Sequence, residues 1–539
     1  MNMSKFYKRK SNNLNNQTIS SSFLTKEYKN TICNNSYLGQ KGYSIPKKYL
    51  SEEDITFLKK ELYVKPMTFG IGANTESAFY VYRESSSKMY LPRFYGIQRY
   101  GLPARHEISM GDSIDVPFVK ELRDYQTNII DTYVKYVDSP ICVNSEDKGN
   151  GGILEVPCGR GKTVMALKII SLLQKKTLIL VHKEFLMNQW IERIQEFVPS
   201  ARIGKIQAAE FNVENKDIVI GMIQTIYNKE YSKDTFSSFG LTIIDEVHRI
   251  GSEQFSKTLF KTITPYMLGI SATVERKDQL TKVLYMFIGK KIYEEKRGND
   301  DPVNVRAITY IANDPEFNET EYDFRGNPKY STMLSKLSNF NSRNTFVVQV
   351  IADLLDEDES KQIMILTHQR SVLTYLYDAI LYNELASVGY YIGGMKPADL
   401  QETETKQIVL ATYAMAAEAL DIKTLSTLIM VTPKTDITQS VGRILRVKGN
   451  KPIVVDIVDQ HEMYQKQWLQ RKRFYKSNNY RISATDTTHY KEMDMKGAEW
   501  KVIFEPKDKK NEVNEKPKCL INLSLSEVEH EMDGAAYYN

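Results

Sequence analysis

The sequence predicts an α/β protein in which two parallel-sheet lobes follow one another behind a small N-terminal α/β domain. Three observations predict it. From residue 116 onward short apolar runs alternate with amphipathic stretches, the rhythm of strands covered by helices on both faces. That rhythm occurs on both sides of a charged link near Glu294 to Pro302, so two lobes are expected rather than one. The first series also opens with ILEVPCGRGKT (153–163), an apolar run ending in a glycine loop that Lys162 and Thr163 close.

The expected strands can be named. In the first lobe they are ILEV (153–156), TLILV (177–181), DIVIG (217–221), LTIID (241–245) and YMLGIS (266–271). In the second they are VNVRAITYI (303–311), QIMILT (362–367), QIVLAT (407–412), STLIMV (426–431) and PIVVDIV (452–458). Residues 1–48 carry nine Lys or Arg against the single acid Glu27, in Ser- and Asn-rich text, and read as a flexible basic arm. Residues 49–115 read as the accessory domain, with Tyr80, Tyr82, Tyr90, Phe94, Tyr95 and Tyr100 as either core or base-stacking aromatics. The lobes are expected over 116–296 and 297–476, the latter ending in the basic, aromatic helix YQKQWLQRKRFYKS, whose Trp468 and Phe474 pack inward while its Lys and Arg face outward. Residues 138–150 read as a surface loop and 477–539 as an irregular tail.

Composition narrows the class. A length of 539 residues allows several cores at about 100–200 residues each. Cys33, Cys142, Cys158 and Cys519 lie far apart without a CxxC pair, which argues against a disulfide framework and a zinc module and fits a reducing compartment. The N-terminus MNMSKFYKRKSNNLNNQ lacks the apolar core of a secretory signal, and no apolar run approaches the roughly 18 residues of a membrane span. A soluble intracellular protein with no membrane partner is expected. A net charge of +5 on this length supports nucleic-acid binding only slightly.

The chemistry starts at the glycine loop. Gly159 and Gly161 let the backbone curl so that successive N–H groups, from Val156, Cys158, Arg160 and their neighbours around Pro157, cradle the β- and γ-phosphates of a nucleotide. Lys162 adds a positive charge and the Thr163 hydroxyl can ligate Mg²⁺. The helical MALKIISLLQKK that follows would aim its N-terminal dipole at the same phosphates. About eighty residues later LTIIDEVH delivers Asp245 and Glu246 from the end of a strand. Asp245 can hold Mg²⁺ and Glu246 can orient and deprotonate the attacking water.

In this order GRGKT, DEVH, SAT (Ser271, Ala272, Thr273) and QSVGRILR (439–446) resemble motifs I, II, III and VI of the superfamily 2 helicases. The resemblance implies two tandem RecA-like P-loop lobes with ATP and Mg²⁺ in the cleft between them. It also implies roles for further residues. FVKELRDYQ resembles the upstream glutamine motif, in which Gln126 reads the adenine edge. LILVHKEFLMNQW resembles motif Ia, with His182 and Lys183 near one nucleic-acid strand, and IGMIQT resembles motif Ib through Gly221, Gln224 and Thr225. Thr367 to Arg370 matches motif IV. ATYAMAAEALDI resembles motif V, with Thr412 and Asp421, though Ala419 stands where the family has glycine. The loop likewise has Val156 where the usual pattern has glycine. Arg443 and Arg446, three apart on an expected helix with Gln439 one turn earlier, would reach the γ-phosphate from the second lobe. His248 would link the nucleotide site to SAT.

Within that superfamily HKEFLMNQW, SATVERKD and the segment IVDQHEMYQKQWLQRKRFY are similar to the xeroderma-pigmentosum-B-type, phage recombination and large-DNA-virus transcript-release helicases, the last most of all. This implies a DNA-acting motor, working with RNA polymerase or other transcription proteins, in a virion or viral factory if viral. An RNA helicase with the same engine, or a catalytically inactive binding module, stands beside that reading. The module is disfavoured because Lys162, Asp245, Glu246, Arg443 and Arg446 are all present.

Overall fold

The computed structural model describes residues 24–66, 78–138, 150–157, 159–232, 234–249, 253–276, 278, 280–295, 303–418, 422, 424–444, 452–490, 500–506 and 518–519. The first lobe is built on strands β1 (Gly151–Glu155), β2 (Thr177–Val181), β3 (Ile203–Gln207), β4 (Ile218–Met222), β5 (Leu241–Asp245), β6 (Tyr266–Ser271) and β7 (Lys291–Glu294). They lie in the order β3-β4-β2-β5-β6-β1-β7 and all pair in parallel. Short antiparallel strands, Glu210–Phe211 and Lys518–Cys519, close its two edges. β2 and β5 are buried at every position, as a sheet covered on both faces requires.

The covering helices of that lobe include α1 (Asp124–Asp138), α2 (Lys162–Leu173), α3 (Glu184–Phe197) and α4 (Ile223–Asn228). The second lobe repeats the plan with β8 (Asn304–Tyr310), β9 (Gln362–Thr367), β10 (Val388–Tyr391), β11 (Ile408–Thr412), β12 (Leu425–Met430), β13 (Ile453–Asp459) and β14 (Arg481–Asp486). Their order is β10-β11-β9-β12-β13-β8-β14, again parallel, with Lys501–Phe504 added antiparallel at the edge. Its helices include α5 (Asn341–Glu357), α6 (Arg370–Tyr382), α7 (Thr438–Arg443) and α8 (Glu462–Ser477).

Two expectations about the ends need correction. Residues 24–48 are not the flexible arm expected: Lys26–Asn35 is a helix capped by the Thr25 side chain, and Tyr37–Gly39 and Gly42–Pro46 are inner strands of a five-stranded sheet. Ile32, Leu38, Tyr43 and Ile45 are buried there, so the lysines are the surface of a folded unit rather than a free tail. The part of that expectation covering 1–23 lies outside the described residues, as do 139–149 of the expected loop. The tail is also not wholly irregular, because Arg481–Asp486 and Lys501–Phe504 extend the second sheet.

The N-terminal domain shares a core with the first lobe. Buried Arg93, on the helix Arg93–Tyr100, donates to the carbonyls of Thr264 (2.8 Å) and Pro265 (3.1 Å), just before β6. Of the six aromatics in question, Phe94, Tyr95 and Tyr100 are buried core residues, whereas Tyr80 is 56% exposed. In the second lobe α8 packs Trp468 inward as expected. Its Arg471 does not face solvent: it is buried, with Nε 2.7 Å and Nη2 2.9 Å from the Asp456 carboxylate. Asp456 sits in the middle of a strand with seven buried positions, where an ionised carboxylate persists only with a partner. Arg343 on α5 does the same for Asp459.

Candidate functional site

Ligand sites in open parallel sheets lie beyond the carboxyl ends of the strands. The glycine loop, the acids and the Ser271–Thr273 segment all follow such ends, whereas Gln126 comes from α1. β1 runs into the loop at Val156, whose N–H donates to Ser271 O (2.9 Å) at the end of β6, so it extends the sheet and is not one of the phosphate donors expected of it. Gly159 (φ 81°) and Gly161 (φ 79°) are both left-handed, a conformation that glycine adopts without the Cβ penalty. Gly161 is also the residue that opens α2, so Lys162 and Thr163 are its first two positions. A Cβ on Gly161 would stand 2.5 Å from Gln126 Nε2, so a side chain here would also displace the Gln126 carboxamide.

Gln126, on α1 and nearly buried, reaches the loop directly. Its Nε2 donates to Arg160 O (3.1 Å) and its Oε1 accepts from Arg123 N (3.0 Å). The acids arrive from β5. Lys162 Nζ lies 3.8 Å from Glu246 Oε1. Glu246 has φ 50°, a backbone state costing about 1–3 kcal/mol for a residue with a side chain, and its N–H donates to Asp245 Oδ1 (2.9 Å). Asp245 is buried, and its Oδ2 accepts from the Trp190 indole N–H (2.9 Å).

His248 Nδ1 is 2.8 Å from Ser271 Oγ and 3.2 Å from Glu246 Oε2. The Ser271 hydroxyl also lies 2.6 Å from Thr273 O, to which it can donate. One chain of contacts therefore joins Glu246 to the Ser271–Thr273 segment, with Ala272 between. Arg276 Nη1 donates to His248 O beside it.

The remaining candidates divide. His182 and Lys183 follow β2, and Gln224 Nε2 on α4 donates to His182 O (2.9 Å), which ties the two expected strand-contacting segments together. Thr225 Oγ1 accepts from Ala208 N (3.0 Å). Gly221 is buried within β4, where a Cβ would meet Ile226 Cδ1 at 2.8 Å, so its smallness serves packing there. Thr367 is likewise fully buried at the end of β9 and accepts from Gln369 N (3.3 Å), which makes it a turn-building residue. Arg370 is exposed and donates to Gly393 O (2.6 Å), and Thr412 ends β11 half-buried. Gln439 and Arg443 lie on α7, their side chains outside the described residues. Cys158, Asp421 and Arg446 lie outside them altogether.

A family model described as the type III restriction enzyme, res subunit, matches residues 119–276. A protein of Acanthamoeba polyphaga mimivirus, provisionally named an ATP-dependent RNA helicase, is 33% identical over 453 residues, 82% of this chain and 85% of that one. The chain belongs to the superfamily 2 ATP-dependent helicases. This helicase is also 27% identical, over 67% of its length and 73% of the relative's, to a provisionally named ATP-dependent RNA helicase of African swine fever virus. A protein of Sulfurisphaera tokodaii named a DNA 3'-5' translocase is 30% identical over 41% of the helicase and 46% of that protein.

The residues present fit a magnesium nucleotide. Mg²⁺ is commonly held by one or two protein oxygens together with substrate phosphates and waters. Asp245 and Thr163 supply such oxygens, and no group of three His, Cys, Asp or Glu that could hold a metal occurs among the described residues. Burial, and then the Glu246 charge, push the Asp245 carboxyl up to about 6, against the Trp190 hydrogen bond and the Lys162 charge. A carboxyl raised in the fold contributes stability at acid pH that is lost as pH rises through about 6. At neutral pH its ionised form is a cost that a bound cation relieves.

Sequence reasoning passed over Trp190, because an aromatic in an amphipathic stretch reads as core; only its meeting with Asp245 reveals a second role. Trp190→Phe removes a donor that stabilises the carboxylate. The acidic limb of kcat/KM for MgATP is expected to move to higher pH by about one unit, since a hydrogen bond to a charged group is worth ~1.5 kcal/mol or more. An unmoved limb would make Trp190 a packing residue only.

Proposed function

We propose that this helicase is a DNA-stimulated ATPase that couples hydrolysis to movement along DNA, acting in transcript release with RNA polymerase as a partner. The observation that carries the motor reading is the convergence of Lys162, Asp245 and Glu246 at the carboxyl ends of β1 and β5, with Lys162 Nζ and Glu246 Oε1 3.8 Å apart. Lys162 and the loop N–H groups bind the β- and γ-phosphates, Glu246 takes the proton of the attacking water, and Gln126 reads the base. Asp245 and Thr163 would hold Mg²⁺, which when bound would supply positive charge against the developing charge on the phosphates. Arg443 and Arg446 complete the site from the second lobe, and Gln439 supports them.

The contact chain Glu246–His248–Ser271 supports a coupling role for the SAT segment, because a shift at the acid moves the imidazole and hence the loop after β6. His182, Lys183, Gln224, Thr225, Arg370 and Thr412 follow a nucleic-acid backbone in this reading, which the Gln224 hydrogen bond to the His182 carbonyl supports. Such contacts carry little sequence preference.

DNA rather than RNA is supported by DEVH in place of DEAD, by the HKEFLMNQW and SATVERKD strings, and by the likeness to a protein named a DNA translocase. The likeness to proteins named as RNA helicases favours the second reading. ATP turnover at saturating single-stranded DNA is expected to exceed that with RNA of the same length and sequence in one buffer, since phosphate contacts depend on salt. Strong stimulation by RNA with little by DNA would replace the DNA motor with an RNA helicase.

A further inference from the structure

Glu295 belongs to none of the helicase motifs, yet its carboxylate is buried against the phosphate loop. Its backbone N–H donates to Glu155 O (2.9 Å), which fixes it to the end of β1. Its Oε1 accepts from Arg160 Nε (2.8 Å) and also from Arg160 Nη2. The guanidinium so held lies 4.2 Å from the centre of the Tyr125 ring. The Arg160 carbonyl, on the same residue, accepts from Gln126 Nε2 (3.1 Å) and from the Tyr125 hydroxyl (3.4 Å).

The consequence falls on Gln126. Arg123 N–H can meet only the amide oxygen of that side chain, and the Arg160 carbonyl can meet only its nitrogen, so the two contacts fix which way the carboxamide points. Each end then has one function to spare, a lone pair on Oε1 and an N–H on Nε2. Adenine offers the complement, an amino donor beside the N7 acceptor, whereas guanine offers two acceptors, O6 and N7. A carboxamide free to turn would lose that distinction.

We infer that Glu295 is a positioning residue for base selectivity: by pinning Arg160 it holds the Arg160 carbonyl, and so the Gln126 carboxamide, in the orientation that selects adenine over guanine. The inference rests on the ATP-site reading above. It adds a residue that motif comparison does not mark, at the junction where the first lobe gives way to the segment leading to the second.

The test uses the full chain with saturating nucleic acid and compares steady-state hydrolysis of ATP and GTP by wild type, Glu295→Gln, Arg160→Gln and the double variant. Glu295→Gln is expected to raise KM for ATP about fivefold, more than it lowers kcat, and to narrow the ATP-over-GTP ratio of kcat/KM by about fivefold or more. The double variant should match Arg160→Gln, because the two side chains act through one contact. Should Glu295→Gln fail to fold, Arg160→Gln carries the test, its side chain being 35% exposed. Equal losses for ATP and GTP, or an unchanged ratio in a variant that melts like wild type, overturn the inference and leave the ATPase reading standing. A wild type that does not prefer ATP also overturns it, and one that hydrolyses neither nucleotide overturns the ATPase reading as well.

Discussion

Lys162→Ala is expected to lower ATP turnover by at least about 10²–10³-fold, the loss seen when one preorganised charge-stabilising group is removed from a phosphoryl or acyl transfer site. The glycine loop, with Gly159 and Gly161 in their left-handed conformations, stays in place without the lysine, so the N–H cradle survives and the charge does not. That charge sits in a crevice where its side chain is only 12% exposed, and there it is poorly screened. A second effect follows in the same direction. Lys162 helps to hold the Asp245 carboxyl down, so its removal pushes Asp245 further toward the protonated form and weakens the oxygen available to Mg²⁺. The fold should persist, since Lys162 lies at the first turn of α2 while Met165, Ala166, Leu167, Ile169 and Ile170 do the packing. Near-wild-type turnover in a variant with unchanged melting would show that Lys162 does not face the phosphates.

Glu246→Gln separates binding from chemistry. The substitution keeps the shape of the side chain but removes the base, so turnover should fall about 10²–10⁴-fold, the range for loss of a positioned acid–base group. Nucleotide binding should hold or tighten, because the Glu246 charge is one of the two causes that raise Asp245, and its loss lets Asp245 ionise more readily for Mg²⁺. Affinity for a fluorescent nucleotide, measured beside single-turnover hydrolysis, checks both halves. Parallel loss of binding and turnover would assign Glu246 a structural role, holding Lys162 and His248 rather than the water.

What could be read from the sequence followed from how strongly chemistry or burial constrains the text. The ten named strands read as continuous apolar runs because both faces of each sheet are covered. β3 did not, because IGKIQ alternates, with Lys205 and Gln207 half-exposed and Gly204 bringing no side chain to its buried position. Residues 24–48 misled for a related reason. Their buried set, Ile32, Leu38, Tyr43 and Ile45, is thin and lies among Asn, Ser and Lys, so the charge signal outweighed the core.

At the site, GRGKT and DEVH were legible because phosphate chemistry allows few substitutes for glycine, lysine and paired acids. Gly221 and Thr367 were read as contacts from their place in motifs, yet both are buried. Trp190 and Glu295 act through partners distant in sequence, Asp245 and Arg160, so no local pattern announces them. For Arg471 one signal was present: an aspartate inside the apolar run PIVVDIV demands a buried cation.

The measurement that bears most directly on the whole account is the ATP turnover of the wild-type chain without nucleic acid and with saturating single-stranded DNA, under identical salt. A nucleic-acid motor whose hydrolysis is coupled to its track should turn over at least about tenfold faster with DNA, because the track favours the closed, competent arrangement of the lobes by the ~1.4 kcal/mol or more that a tenfold change represents. Equal rates with and without polymer, in a protein that hydrolyses ATP and binds DNA, would contradict it.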